Sequence, residues 1–195
     1  MNRLKDVDQV IYEANIIIYY SFPEGKYRLI GLTKPAEKLT NFLFNQDSKI
    51  VVPSFIISEI EHKGYFDIIE DYFLDMEIDS KYRLLRKVRK KFEKLLQHDN
   101  FLIENYEPPS KLLDSIDDAY VNFNNLDNID AYFMEKHIDT LNPSIEDKML
   151  ILFSKEKKCP VVSNDLDLTF FRKHLLKLNL VHEIIDFRTI TSMNN

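Results

Sequence analysis

Three short apolar runs in this chain stop abruptly at residues that a buried strand does not continue through. Residues 9–12 run into Glu13, residues 49–53 end on Pro53 with Ser54 behind it, and residues 160–163 give way to Asn164 and Asp165. Short runs without alternation are the mark of strands covered on both faces. Between them the spacing is helical. Ala36, Leu39, Phe42 and Leu43 repeat at helical steps after a stretch from Ser21 to Pro35 that reads as a loop. Ser54 is placed to cap a helix carrying Glu59, and Ser144 to cap another carrying Asp147. The apolar run 16–20 is too short to assign to strand or helix by period. Residues 170–178 read as a short basic helix, and 181–187 as holding a last short strand. Strands alternating with helices predict an α/β fold around a mainly parallel sheet.

With 195 residues the chain is expected to form one domain, with residues 65–140 as a helical insert or sub-domain. Within the insert, Leu85, Val88, Phe92, Leu95 and Leu96 make residues 82–97 an amphipathic helix. A single cysteine, Cys159, rules out an internal disulfide framework and points to a reducing cytoplasm. The three glycines, Gly25, Gly31 and Gly64, are too scattered for a P-loop or a dinucleotide fingerprint. No apolar run has the length of a membrane span, and the charged start of the chain predicts no secretory leader. The net charge of −6 argues against bulk electrostatic binding of nucleic acid, while leaving room for basic residues gathered on one face.

In parallel sheets, sites form outside the carboxyl ends of the strands. Glu13 follows the first strand, and Glu59 lies on the helix after the second. Asp147 opens the helix leading to a later strand, and Asp165 follows that strand. Four carboxylates gathered at one edge repel one another unless they are protonated or bridged by cations. A hard divalent ion such as Mg²⁺ or Mn²⁺ is the natural bridge.

The segments Val10-Ile11-Tyr12-Glu13-Ala14-Asn15, Val52-Pro53-Ser54 with Glu59, Pro143-Ser144-Ile145-Glu146-Asp147, and Val162-Ser163-Asn164-Asp165-Leu166-Asp167-Leu168 resemble the PIN-domain nucleases. That family includes toxin ribonucleases of toxin–antitoxin pairs. The resemblance covers roughly residues 10–62 and 141–187. It implies a three-layer α/β/α domain that hydrolyses RNA with one or two Mg²⁺ or Mn²⁺ ions. It also implies Glu13, Glu59, Asp147 and Asp165 as metal-binding catalytic acids, with Asn15, Ser163 and Asp167 supporting them. Two features depart from the family's pattern. Glu13 stands where an aspartate is expected, and its longer side chain disturbs the geometry that Mg²⁺ demands. Residues 65–140 exceed the usual spacing and suit a lid, a dimer surface or a substrate platform. An antitoxin or other protein partner and a homodimer are further implications. A catalytically silent PIN-like module that binds RNA or protein is the alternative, as is a structure-specific DNA nuclease.

Plainer roles stand beside these. Ser144-x-x-Asp147 is a capping pattern, Glu59 and Lys63 are spaced for a surface ion pair, and Asp165 with Asp167 suits an Asx turn. Glu13 is harder to dismiss, because a carboxylate between apolar runs needs a partner. The basic residues of the 82–97 helix, Arg83, Arg86, Lys87 and Lys90 among them, suit either a solvated face or phosphate contacts. Tyr82 and Phe92 suit base stacking, but their helical spacing favours the core, and none of the five histidines has a neighbour at zinc-helix spacing.

Overall fold

Val10, Ile11, Ile50, Val52 and Val162 have no exposed surface, as central strands covered on both faces require. They belong to a computed structural model of the chain that describes residues 4–22, 30–61, 65, 69, 76–124 and 143–192. The described strands are β1 (Gln9–Tyr12), β2 (Lys49–Pro53), β3 (Phe101–Glu104), β4 (Pro160–Ser163) and β5 (Glu183–Asp186). They form one parallel sheet in the order β3-β2-β1-β4-β5. Helices α1 (Ala14–Ser21) and α2 (Ile30–Asn45) connect β1 to β2, and α3 (Ser54–Glu59) and α4 (Ile78–Leu96) lie between β2 and β3. Helices α5 (Ser110–Asn124) and α6 (Ile145–Lys157) lead to β4. The short α7 (Leu166–Thr169) and α8 (Arg172–Lys177) lead to β5, and α9 (Phe187–Ser192) follows. The architecture is three-layered α/β/α.

Three expectations are refined. The stretch 65–140 supplies more than helices, since its residues 101–104 pair with β2 from Ile50↔Phe101 to Pro53↔Glu104 and form the sheet's edge. The 16–20 run is helical, buried along Ile16, Ile17 and Ile18. The loop read over 21–35 is too long, because α2 starts at Ile30 and contains Pro35. A proline near the start of a helix forfeits one N–H bond without dividing the helix. The loop's residues 23–29 lie outside the described residues, as do Gly25, Gly64, Lys63 and residues 125–142.

Packing ties the layers to the sheet. Helix α1 packs on α2, α3 and α4, and α5 packs on α6. On α4 the buried residues are Leu84, Val88, Phe92 and Leu95, while Tyr82 is exposed rather than core. Lys91 of α4 pairs with Glu37 of α2 and lies 4.8 Å from the centre of the Tyr20 ring on α1. Cys159 is buried, as a small apolar residue at a strand start should be. The strand order reverses between β1 and β4, so the crevice between their carboxyl ends is where this topology opens a site.

Candidate metal centre

Glu13 is the first residue past β1 and sits at the N-cap of α1, yet its side chain caps nothing. It turns inward and is 4% exposed. Its backbone N–H donates to the Val162 carbonyl at 3.3 Å, which fixes it across the β1/β4 crevice. Its carboxylate receives two further donors. Asn15 Nδ2 donates to Oε1 at 2.7 Å, and the backbone N–H of Asn164 donates to Oε2 at 3.1 Å. The partners that this buried carboxylate needs are therefore the Asn15 and Asn164 amides, joined by the Ser163 hydroxyl.

The turn after β4 is built from its own side chains. Ser163 Oγ accepts the Asp165 N–H at 2.9 Å, and Asp165 Oδ1 accepts the Asp167 N–H at 2.6 Å to cap α7. The Asx turn expected at Asp165 is therefore present, at the carboxyl end of β4. Asn164 Nδ2 donates to Tyr19 Oη at 3.1 Å, while Asn164 Oδ1 is buried with no hydrogen-bond partner among the described residues.

Asp147 closes a full capping box at the start of α6. Ser144 Oγ accepts the Asp147 N–H at 3.1 Å, and the Ser144 N–H and O–H both donate to Asp147 Oδ2 at 2.9 Å. Capping occupies one oxygen of this carboxylate, and its charge still acts on the crevice. Glu59 ends α3 and is half-buried. The Lys63 half of its suggested ion pair lies outside the described residues.

Electrostatics link three of the four acids. Burial, together with the charges of Asp165 and Asp147, pushes Glu13 up to about 8, against the lowering effect of the Ser163 hydroxyl and the Asn164 amide. Burial and the charge of Asp165 push Asp147 up to about 6, against its Ser144 donors. The charges that raise Glu13 come from the β4 turn and α6; Glu59 stands on the β2 side. Among the described residues, no group of three or more His, Cys, Asp or Glu side chains is arranged to hold a metal ion. The donor chemistry nevertheless suits a hard divalent cation. The acids facing the crevice are all oxygen donors, the charges of Asp165 and Asp147 disfavour ionised Glu13, and the unpartnered Asn164 Oδ1 is buried beside them.

The roles of Tyr120, Asn164 and Tyr19 were not read from sequence. Tyr120 on α5 is buried and donates its hydroxyl to the Asp167 carbonyl at 2.6 Å. Burial and the charges of Asp147, Asp167 and Asp165 raise its pKa, so it stays a donor. Asn164 and its Tyr19 partner are 145 residues apart, a contact with no local signal. Of the basic residues predicted to meet nucleic acid, Arg83, Arg86, Lys87 and Lys90 are all exposed on α4. Among the described residues no helix is long and apolar enough to cross a membrane.

No family model matches the chain, and a search of curated proteins gives no significant match.

Proposed function

We propose that the chain is a metal-dependent ribonuclease that hydrolyses RNA phosphodiester bonds at the carboxyl edge of its sheet. Glu13, Asp147 and Asp165 are its central acids, with Glu59 at the β2 side. One observation carries this reading. At the topological crevice, burial and the charges of neighbouring aspartates push Glu13 and Asp147 well above the usual carboxylate range. Bound Mg²⁺ or Mn²⁺ would relieve that repulsion, and it supplies Lewis acidity and a water of lowered pKa for attack on phosphorus. The chain's own groups do the holding. Asn15 and the Asn164 amide orient the Glu13 carboxylate, Ser144 orients Asp147, and Ser163 sets the turn that presents Asp165. The order of the motifs, which resembles that of PIN-domain nucleases, supports the same reading. With it comes the proposal of an antitoxin or other protein partner.

A second reading has its own observation. Both Glu13 oxygens already accept amide donors, and a group titrating at about 8 holds a proton at neutral pH. A carboxyl content in that state suits a silent PIN-like module that binds RNA or a protein.

Incubation with single-stranded RNA, single-stranded DNA and a DNA flap, in Mn²⁺, Mg²⁺ or EDTA, separates these. The expected result is RNA cleavage that needs a metal and is lost in both Glu13→Ala and Asp147→Ala. Binding of RNA without cleavage under any metal would overturn the nuclease and leave the silent module. Cleavage of the flap alone would shift the substrate to DNA.

A further inference from the structure

The outer strand of the sheet carries a groove that the acidic crevice does not account for. It has a volume of about 680 Å³ and lies between α7, α8 and the residues that end and follow β5. Four permanent cations line it, Arg172, Lys173, Lys177 and Arg188, against a single carboxylate, Asp186.

Asp186 serves the two arginines rather than the lysines. Its Oδ1 and Oδ2 accept from Arg188 Nε and Nη2, each at 2.9 Å, and Arg172 Nη1 lies 3.7 Å from Oδ2. Arg188 Nη2 also donates to Thr169 Oγ1 at 3.0 Å. Both guanidinium groups are thereby held in place, which lowers the entropy lost when they meet an anion. Lys173 and Lys177 are exposed, and among the described residues neither has an ion-pair partner. They stand four apart on α8, where like charges destabilise a helix until an anion lies across them. His174 lines the groove between them. Burial and the charge of Lys177 lower its pKa, so it adds no cation at neutral pH.

The rim is apolar. Leu166 and Phe170 are 40% and 37% exposed and line the groove beside the cations. Cations that track a backbone, with an aromatic ring beside them, form the pattern that single-stranded nucleic acid uses. An acidic peptide would use the charges and leave the ring without a role. The groove also points toward the acids. Asp165 caps α7, whose first residue is Leu166, and Ser163 and Asp186 are register partners on β4 and β5.

We propose that this groove binds the sugar–phosphate backbone of a single-stranded nucleic acid, with Lys173, Lys177, Arg172 and Arg188 at phosphates and Phe170 under a base. The inference deepens the nuclease reading, and binding is tested without metal so that each can fail alone.

The test is fluorescence anisotropy of the full chain with labelled 12-nucleotide single-stranded RNA and DNA in EDTA, over a range of salt. The Lys173→Ala/Lys177→Ala pair is expected to bind roughly ten-fold more weakly at low salt, and to flatten the salt slope by about 1.4, for two phosphate contacts. Phe170→Ala is expected to weaken binding without changing that slope. Lys38→Ala/Lys49→Ala, which removes the same charge from α2 and β2, neither of which lines the groove, is expected to bind as wild type does. Circular dichroism checks that each variant is folded. The proposal is overturned if wild type binds neither strand, or if the Lys173/Lys177 variant binds normally. It is also overturned if the loss appears instead in Arg86→Ala/Lys87→Ala on α4, or if polyglutamate competes as well as RNA. Intact binding without hydrolysis would sink the nuclease and leave this groove standing. Hydrolysis that survives loss of the two lysines, with binding unchanged, would do the reverse.

Discussion

Asn164 donates its backbone N–H to Glu13 Oε2 at 3.1 Å, across 151 residues of sequence. Together with the Glu13 N–H on the Val162 carbonyl, it closes the crevice between β1 and β4 around a carboxyl group that has almost no contact with solvent. Burial there, with the charges of Asp165 and Asp147, makes Glu13 costly to ionise in spite of the Asn164 donor, and the cost has a sign that can be measured.

Burial pushes the Glu13 carboxyl up to about 8 in the folded chain, from the ordinary 4.5 of the unfolded one. Below 4.5 both states hold the proton, and the group has no effect on stability. Between 4.5 and 8 the unfolded state gives up its proton and the native state does not, so stability falls as pH rises, and then levels off. Glutamine is neutral like the protonated form; its oxygen can accept the Asn164 N–H, and its NH2 can meet Asn15 once that amide turns its Oδ1 inward. Glu13→Gln is therefore expected to match wild type near pH 4 and to exceed it by several kcal/mol at pH 9. Urea unfolding at pH 4, 6, 7.5 and 9 reads this directly. Parallel curves for the two proteins would mean that Glu13 is not held neutral.

Metal binding should carry the same proton. A ligating carboxylate must be ionised, so loading Mn²⁺ at pH 7 is expected to expel roughly one proton per ion, and affinity should climb through pH 6 to 8. Calorimetry in two buffers of different ionisation enthalpy, PIPES and Tris, gives the proton count from the difference in heats. Glu13→Gln should remove the buffer dependence. Heats that do not depend on buffer, in a wild type that binds Mn²⁺, would place the ion away from Glu13.

Tyr120 joins the 65–140 segment to the candidate site. Its hydroxyl satisfies the Asp167 carbonyl, and the Lys148–Asp117 ion pair ties α6 to the same helix. Tyr120→Phe removes one hydrogen bond to a partly buried acceptor and keeps the ring that packs on Phe171 at 4.0 Å. The expected loss is about 1 kcal/mol of unfolding free energy, with weaker Mn²⁺ binding as the α7 turn loosens. An unchanged Mn²⁺ affinity would confine Tyr120 to a purely structural part.

The central strands were legible because burial on both faces leaves a continuous apolar run, as in Ile50, Val51 and Val52. Glu13 was legible for the opposite reason, as a charge where only apolar residues should stand. Strand β3 was not legible. As the sheet edge it buries Phe101 and leaves Ile103 46% exposed, so its four residues carry neither a buried run nor a clean alternation. Pro35 obscured the start of α2, because local punctuation cannot tell a loop from the first turns of a helix. The roles of Asn164, Tyr19 and Tyr120 depend on contacts across 47 to 151 residues, which no periodicity encodes. For Asp147 the capping pattern and the site position were set against each other, and the fold gives it both a capping box and a charge acting on Glu13.

That double use predicts a pH-dependent capping energy. The Ser144 hydroxyl accepts the Asp147 N–H and donates to Asp147 Oδ2, so only the second bond depends on the carboxylate's charge. Burial and the charge of Asp165 push Asp147 up to about 6 in the folded chain, from the ordinary 3.8, so it costs the native state stability as pH rises between the two. At pH 3.5 Asp147 is protonated, and Ser144→Ala costs the ordinary cap, about 1 kcal/mol. At pH 7.5 the carboxylate is charged and also loses its hydroxyl donor. The cost should then rise by roughly a further 1 kcal/mol, and the folded Asp147 pKa should move above its wild-type position. Ser144→Thr keeps the hydroxyl and should restore both. Urea unfolding at the two pH values, with carboxyl chemical shifts followed by NMR through the titration, measures the pair. An equal cost at both pH values would show that the hydroxyl serves the helix alone, and that Asp147 meets the crevice without it.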